Sequence, residues 1–187
     1  MRFGYLSVIL LASAASFGCV PVIDTYYRPS AQIGYLVHDR CAGQAPKRVL
    51  EVPVPPASIG VVLYGSVLVI RIDLPEGASA KFLDQEVRFG AGENAPSVIL
   101  GEVSSSDPTI RGRVLTPPTQ VFLGGDIDLW FGQKTPVTYE SDVSLPLQDA
   151  QSYDVLLPRI EINGRIVQIP IIRFERHKGL GIYPVNC

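Results

Sequence analysis

The sequence predicts an all-β protein: a single domain built as an antiparallel β-sandwich, immunoglobulin-like or jelly-roll in style. Three observations carry this. Residues 67–74 (VLVIRIDL) alternate strictly, with Leu68, Ile70, Ile72 and Leu74 on one face and Arg71 and Asp73 on the other. That is the period of a half-buried antiparallel strand. Asn163-Gly164 stands between two β-branched runs, 158–162 and 165–169. It is a strong hairpin signal, because both residues accept the positive φ of a type I′ turn. The 17 glycines and 16 prolines are scattered between apolar runs, the spacing of many short strands joined by turns. About a dozen such strands fit one sandwich. No window shows a capped helical period. Two smaller sandwiches split at 116–119 (TPPT) are the alternative, and no internal repeat supports them.

The first element is an export signal, residues 1–18. One charge, Arg2, precedes an uncharged run that becomes rich in small residues after Leu11. The run is shorter than the roughly 20 apolar residues a membrane-spanning helix needs, and it has the layout of a removable signal peptide. Ser16-Phe17-Gly18-Cys19 resembles the lipobox of bacterial lipoproteins, although Ser16 and Phe17 stand where that motif usually holds Leu and a small residue. The resemblance implies cleavage after Gly18 and a lipid-modified Cys19. Since Val20 and not Asp follows the cysteine, it also implies the outer membrane, facing the periplasm. The alternative is cleavage after Ala14 or Ala15 by an ordinary signal peptidase, giving a soluble periplasmic or secreted protein.

Residues 19–32 then read as a lipid-anchored tether, with prolines and no periodicity, and 33–187 as the sandwich domain. Within it, 48–54 alternates before Pro55-Pro56. Strands 58–63 and 67–74 flank the turn Tyr64-Gly65-Ser66. Strands 80–83 and 86–89 form the next short pair, and 97–103 is one further strand. Short strands follow near 112–115, 120–123 and 126–131, and 137–145 alternates with Glu140 and Asp142 on its polar face. Residues 148–151 allow one helical turn. The strand after Asn163-Gly164 runs on to Phe174, with an edge position or a bulge at Pro170, which cannot donate a ladder bond.

Three cysteines, Cys19, Cys41 and Cys187, are an odd number for an exported chain. Acylation of Cys19 leaves Cys41 and Cys187 as an even pair, which is expected to form a disulfide in an oxidising compartment. So long a loop gives an upper figure of about 5 kcal/mol in the chain-entropy account. The alternative is two free thiols. Removing the signal leaves about 170 residues, one ordinary domain. A formal charge of −2 argues against nonspecific nucleic-acid binding, which needs many cationic contacts.

Candidate chemistry is sparse. His38, Asp39 and Cys41 lie close together, but a zinc site needs ligands from a second segment, and His177 is the only other histidine. His177 sits among charged residues and reads as a solvated strand end. The chain has no Gly-x-Ser-x-Gly elbow, and Gly65-Ser66 falls in a hairpin turn. Asp126 with Asp128, and Glu140 with Asp142, are same-face carboxylate pairs. Such pairs along one strand are commoner as solvated faces than as acid–base pairs across a cleft. Trp130, next to Phe131, is a candidate for stacking on a ligand if it faces outward.

No catalytic residue, metal or cofactor is therefore expected. The expected function is a membrane-anchored envelope lipoprotein with a non-catalytic structural, assembly or protein-interaction role. Its partners would be an envelope protein or peptidoglycan, and not nucleic acid. The alternatives are a glycan- or lipid-binding module and, last, an envelope hydrolase.

Overall fold

The computed structural model describes residues 20–38, 46–90, 95–107, 109, 120–128, 133–147 and 150–183. The described chain is all-β, with no helix, in antiparallel sheets that share one core.

The largest sheet has seven strands. Its centre is three successive hairpin-linked strands, β3 (Lys47–Val54), β4 (Ala57–Tyr64) and β5 (Val67–Leu74). Beyond β3 lies β2 (Tyr35–His38), and beyond β5 lies β12 (Lys134–Ser144). The outer side of β12 is shared by β9 (Val103–Ser105) and β11 (Asp126–Asp128). A five-stranded sheet has the order β1 (Val20–Ser30), β16 (Ile172–Tyr183), β13 (Ser152–Leu156), β7 (Glu86–Phe89) and β8 (Ser97–Ile99). A four-stranded sheet has the order β10 (Phe122–Leu123), β6 (Ser79–Phe82), β14 (Ile160–Ile162) and β15 (Arg165–Val167).

Alternation explains how the sheets close on one another. Burial along β5 switches residue by residue, with Leu68, Ile70, Ile72 and Leu74 inside. On β12, Val137, Tyr139 and Val143 point inward in the same way. They meet Val87, Val155, Ile172 and Phe174 of the five-stranded sheet, and Ala80, Phe82, Phe122 and Ile160 of the four-stranded one, in a single continuous cluster. One cluster means one domain, as expected from the lack of a repeat. Residues 116–119, where a split was considered, lie outside the described residues, as do 112–115 and the first half, 148–149, of the helical turn allowed at 148–151; residues 150 and 151 are described and not helical.

The Asn163-Gly164 turn forms as predicted. Asn163 has φ 48° and Gly164 φ 77°, the two positive values a type I′ turn requires. Asn163 also accepts a hydrogen bond through Oδ1 from the Ser79 backbone N–H at 2.8 Å. The turn is thereby fixed to the start of β6.

Four local expectations are corrected by sheet membership. Strands β6 and β7 are not a pair. The chain leaves one sheet for another at 83–85, where the Leu83 N–H donates to the Arg159 carbonyl at 2.8 Å. The strand expected over 97–103 is two strands, β8 and β9, in different sheets. The strand after the Asn-Gly turn stops at Val167, and Pro170 marks the passage from β15 to β16. The side-chain amide of Gln168 donates to the Leu157 and Ile169 carbonyls at 3.3 and 3.2 Å, pinning that passage.

The fourth correction concerns 19–32. From Val20 to Ser30 this segment is not a free tether but strand β1, paired with β16 from Val20↔Tyr183 to Ser30↔Arg173. It hides from a periodicity search because it is an edge strand, and much of it has no opposing core. Proline survives there because half of an edge strand's N–H groups point away from its one partner. Pro21 and Pro29 lie an even number of residues apart and so belong to the same half.

Candidate functional site

The polar face of the seven-stranded sheet holds the main candidate. Strand parity directs Arg71 and Asp73 outward from β5, and Glu140 outward from β12. Register then aligns them. Glu140 lies opposite Arg71, Gly60 lies opposite Arg71 on its other side, and Glu51 lies opposite Gly60. The Arg71 guanidinium crosses Gly60 and donates through Nη2 to Glu51 Oε2 at 3.0 Å. A Cβ on Gly60 would come within 3.2 Å of the Arg71 Nε, so glycine at this position leaves the arginine its path. Arg71 Nε also lies 3.2 Å from Asp73 Oδ2, and Thr138 Oγ1 donates to Asp73 Oδ1 at 2.7 Å.

Two depressions flank this row. One, of about 700 Å³, is lined by Arg71, Asp73, Ser104, Ser106, Thr138 and Glu140. The other, of about 190 Å³, is lined by Val49, Gly60, Val62, Tyr64 and Val69, and shares Arg71 and Glu140 with the first. A hydroxyl-rich groove therefore adjoins a small apolar pit across one guanidinium–carboxylate row. Such a surface can exchange hydrogen bonds with a polyhydroxylated ligand and cover one apolar face of it.

Acid–base chemistry finds less support. Glu140 lies opposite Arg71 and Asp142 opposite Val69, so the two carboxylates of that pair have different cross-strand neighbours. Asp126 ion-pairs with Lys134 at 3.8 Å, and Asp128 lies opposite Lys134 in the β11–β12 ladder. Neither pair faces the other across a cleft. At a third cavity, of about 590 Å³, Arg159 clasps Asp84 with bonds of 2.6 and 2.8 Å and holds its carboxyl below the usual carboxylate range. Arg173 does the same to Asp154 at 2.8 and 2.9 Å. A general acid needs the opposite shift, and in each pair the arginine already engages both carboxylate oxygens.

Of the residues singled out from sequence, Cys19, Asp39, Cys41, Trp130, Phe131 and Cys187 lie outside the described residues. His177 is not a solvated strand end. It stands within β16, half-buried, its ring stacked on Tyr26 at 6.0 Å and its Nε2 at 3.8 Å from Glu175. Among the described residues, no group of three or more His, Cys, Asp or Glu side chains is placed to hold a metal ion. Glu51, Gly60 and Thr138 were missed by sequence reading. The small break in the apolar run at Gly60 was the one signal available for them. No protein-family model, curated protein or solved structure matches this chain.

Proposed function

We propose that this chain is an envelope lipoprotein: a β-sandwich held on a membrane surface, outer and periplasm-facing, by lipid at Cys19, with a non-catalytic structural or protein-interaction role. The observation that supports this reading is strand β1, which is already paired at Val20, the first described residue, and stays paired with β16 from there to Ser30. An anchor at Cys19 would then join the bilayer to the fold through a paired strand with almost no slack. Such a domain is held at a fixed distance from the membrane, which suits a spacer or assembly element better than a free-swinging catalyst.

Intact mass of protein extracted from membranes tests the anchor. The expected mass is that of a chain starting at Cys19 plus acyl groups, increasing by two hydrogens on reduction as Cys41 and Cys187 part. An unacylated chain starting near Ala15 would overturn the anchor. An unchanged mass on reduction would overturn the disulfide.

The hydroxylated groove favours a second reading, a glycan-binding module. Peptidoglycan fragments titrated into the protein and followed by NMR are expected to shift the amides of 104–106 and 138–140. Glu140→Gln is expected to weaken that binding about tenfold, the scale of one charged hydrogen bond. No shift at millimolar fragment would remove this reading.

A further inference from the structure

Alternation calls for polar residues along the solvent face of a half-buried sheet. The outward face of β5 obeys this for only half its length. Val67 and Val69 come first, then Arg71 and Asp73. Strand β4 sets Val62 directly opposite Val69, and Val49 of β3 joins them in the lining of the small pit. Val49 and Val62 are 4% and 6% exposed, yet neither belongs to the core cluster. Three β-branched side chains thus wall a pit on the Val69 side of the Arg71–Glu140 row, with the hydroxyl groove on its Asp73 side.

Size decides what each depression can hold. Small-molecule sites run to about 300–1,000 Å³. The groove, about 700 Å³, lies within that range, and the pit, about 190 Å³, lies below it. The pit therefore suits one apolar substituent of a ligand whose body lies in the groove.

The hydrogen bonds of the groove indicate that body. Ser104 gives its hydroxyl hydrogen to the Glu140 carbonyl at 3.3 Å, and Thr138 gives its own to Asp73 at 2.7 Å, so both turn lone pairs to a ligand. Asp73 and Glu140 are carboxylates, which only accept and which take a further donor beside the partners they have. Ser106 accepts from the Thr138 N–H at 2.8 Å and keeps its own hydrogen to give. So many acceptors match a ligand rich in hydroxyl donors, a glycan, better than a peptide with one N–H per residue. At the border with the pit the match changes. Arg71 gives Nη2 to Glu51 and turns Nε to Asp73, which leaves Nη1 as a donor, with the Glu140 carboxylate on the opposite strand. A donor beside an acceptor suits the carbonyl and N–H of an amide, and the apolar wall beyond them suits the methyl of its acyl group.

We propose that the groove takes a glycan bearing an N-acetylated amino group, with the acetyl methyl in the pit among Val49, Val62 and Val69 and the amide between Arg71 and Glu140. The proposal rests on the glycan-binding reading and names the sugar class.

The test uses the exported chain carrying Cys19→Ala, so that no lipid enters the measurement. It is titrated by NMR with a tetramer of N-acetylglucosamine and with the tetramer of glucose in the same linkage. The acetylated tetramer is expected to bind roughly thirtyfold more tightly, the scale of one buried methyl and two amide hydrogen bonds. Its acetyl protons are expected to show nuclear Overhauser contacts with the methyls of Val62 and Val69. Val69→Phe, which fills the pit, is expected to lower affinity for the acetylated tetramer by a similar factor. Ile166→Asp, at a 63% exposed residue on the distant β14–β15 hairpin, is expected to leave both affinities unchanged. The comparison of the two sugars on wild-type protein needs no variant to fold. Equal affinities, with shifts at 104–106 and 138–140, would overturn the acetyl assignment and leave the glycan reading standing. No shift with either tetramer would remove both. Tighter binding of the acetylated tetramer without contact to the valines, or folded Val69→Phe protein that binds it as well as wild type, would also overturn the proposal. So would an N-acetylated tripeptide that binds as tightly, since the hydroxyls of the groove would then play no part.

Discussion

Phe122→Ala is expected to lower the unfolding free energy by about 3–5 kcal/mol, the range for truncating a buried phenylalanine. Phe122 is 1% exposed and belongs to β10, a strand of two residues. So short a strand has little ladder to hold it, and its side chain does the holding. The ring meets Phe82 edge-on at 5.8 Å and stacks on Tyr139 at 4.9 Å. Phe82 belongs to the four-stranded sheet and Tyr139 to the seven-stranded one, so the three rings join two sheets. Tyr139 also donates its hydroxyl to the Leu123 carbonyl at 2.7 Å, and burial pushes its phenol pKa up. Losing the Phe122 ring opens a cavity and loosens that bond together. At about 2–4 °C per kcal/mol for a domain of this size, the thermal midpoint is expected to fall by roughly 10 °C. Circular dichroism reads this directly. A loss below about 1 kcal/mol would mean that the neighbouring sheets close over the gap and that the stack is not a joint.

Arg71→Met is expected to cost about 2–3 kcal/mol, by a different mechanism. The Glu51 residue is 8% exposed, and Arg71 donates to its carboxylate at 3.0 Å. Removing the cation leaves a largely buried carboxylate without that charge-assisted bond. Breaking a fully buried pair costs about 3–5 kcal/mol, and the Arg71 side chain, 23% exposed, keeps enough solvent to reduce the figure. The partner variant separates lost attraction from lost packing. Glu51→Gln combined with Arg71→Met is expected to recover most of the stability, because a neutral amide no longer demands a counter-charge. Urea midpoints of the four proteins complete the cycle. Additive losses would show that the row across Gly60 is a set of independent contacts.

These two sites also mark how far sequence reading reached. Arg71 was placed correctly on the polar face of β5 by alternation alone, because side-chain parity is a local property of an extended chain. Its path over Gly60 to Glu51 was not legible. It depends on which residue of β4 and of β3 falls beside it, and register is set by pairing between distant segments. Phe122 was read as part of a short strand, yet its role in joining two sheets has no trace in its own neighbourhood.

The sequence by itself determined the fold class, the alternating faces of β5 and β12, and the Asn163-Gly164 turn. Each follows from side-chain chemistry within a few residues: apolar alternation, or tolerance of positive φ. Only the tertiary structure decided which strands share a sheet, that the chain changes sheets between β6 and β7, β8 and β9, and β15 and β16, and that 20–30 is a strand at all. The backbone groups that pair strands are the same at every residue other than proline, so a strand's own sequence does not name its partner. That choice is made by the shared core, where Ile172 and Phe174 are buried at the root of β16 and β13 and β1 pair with it on either side.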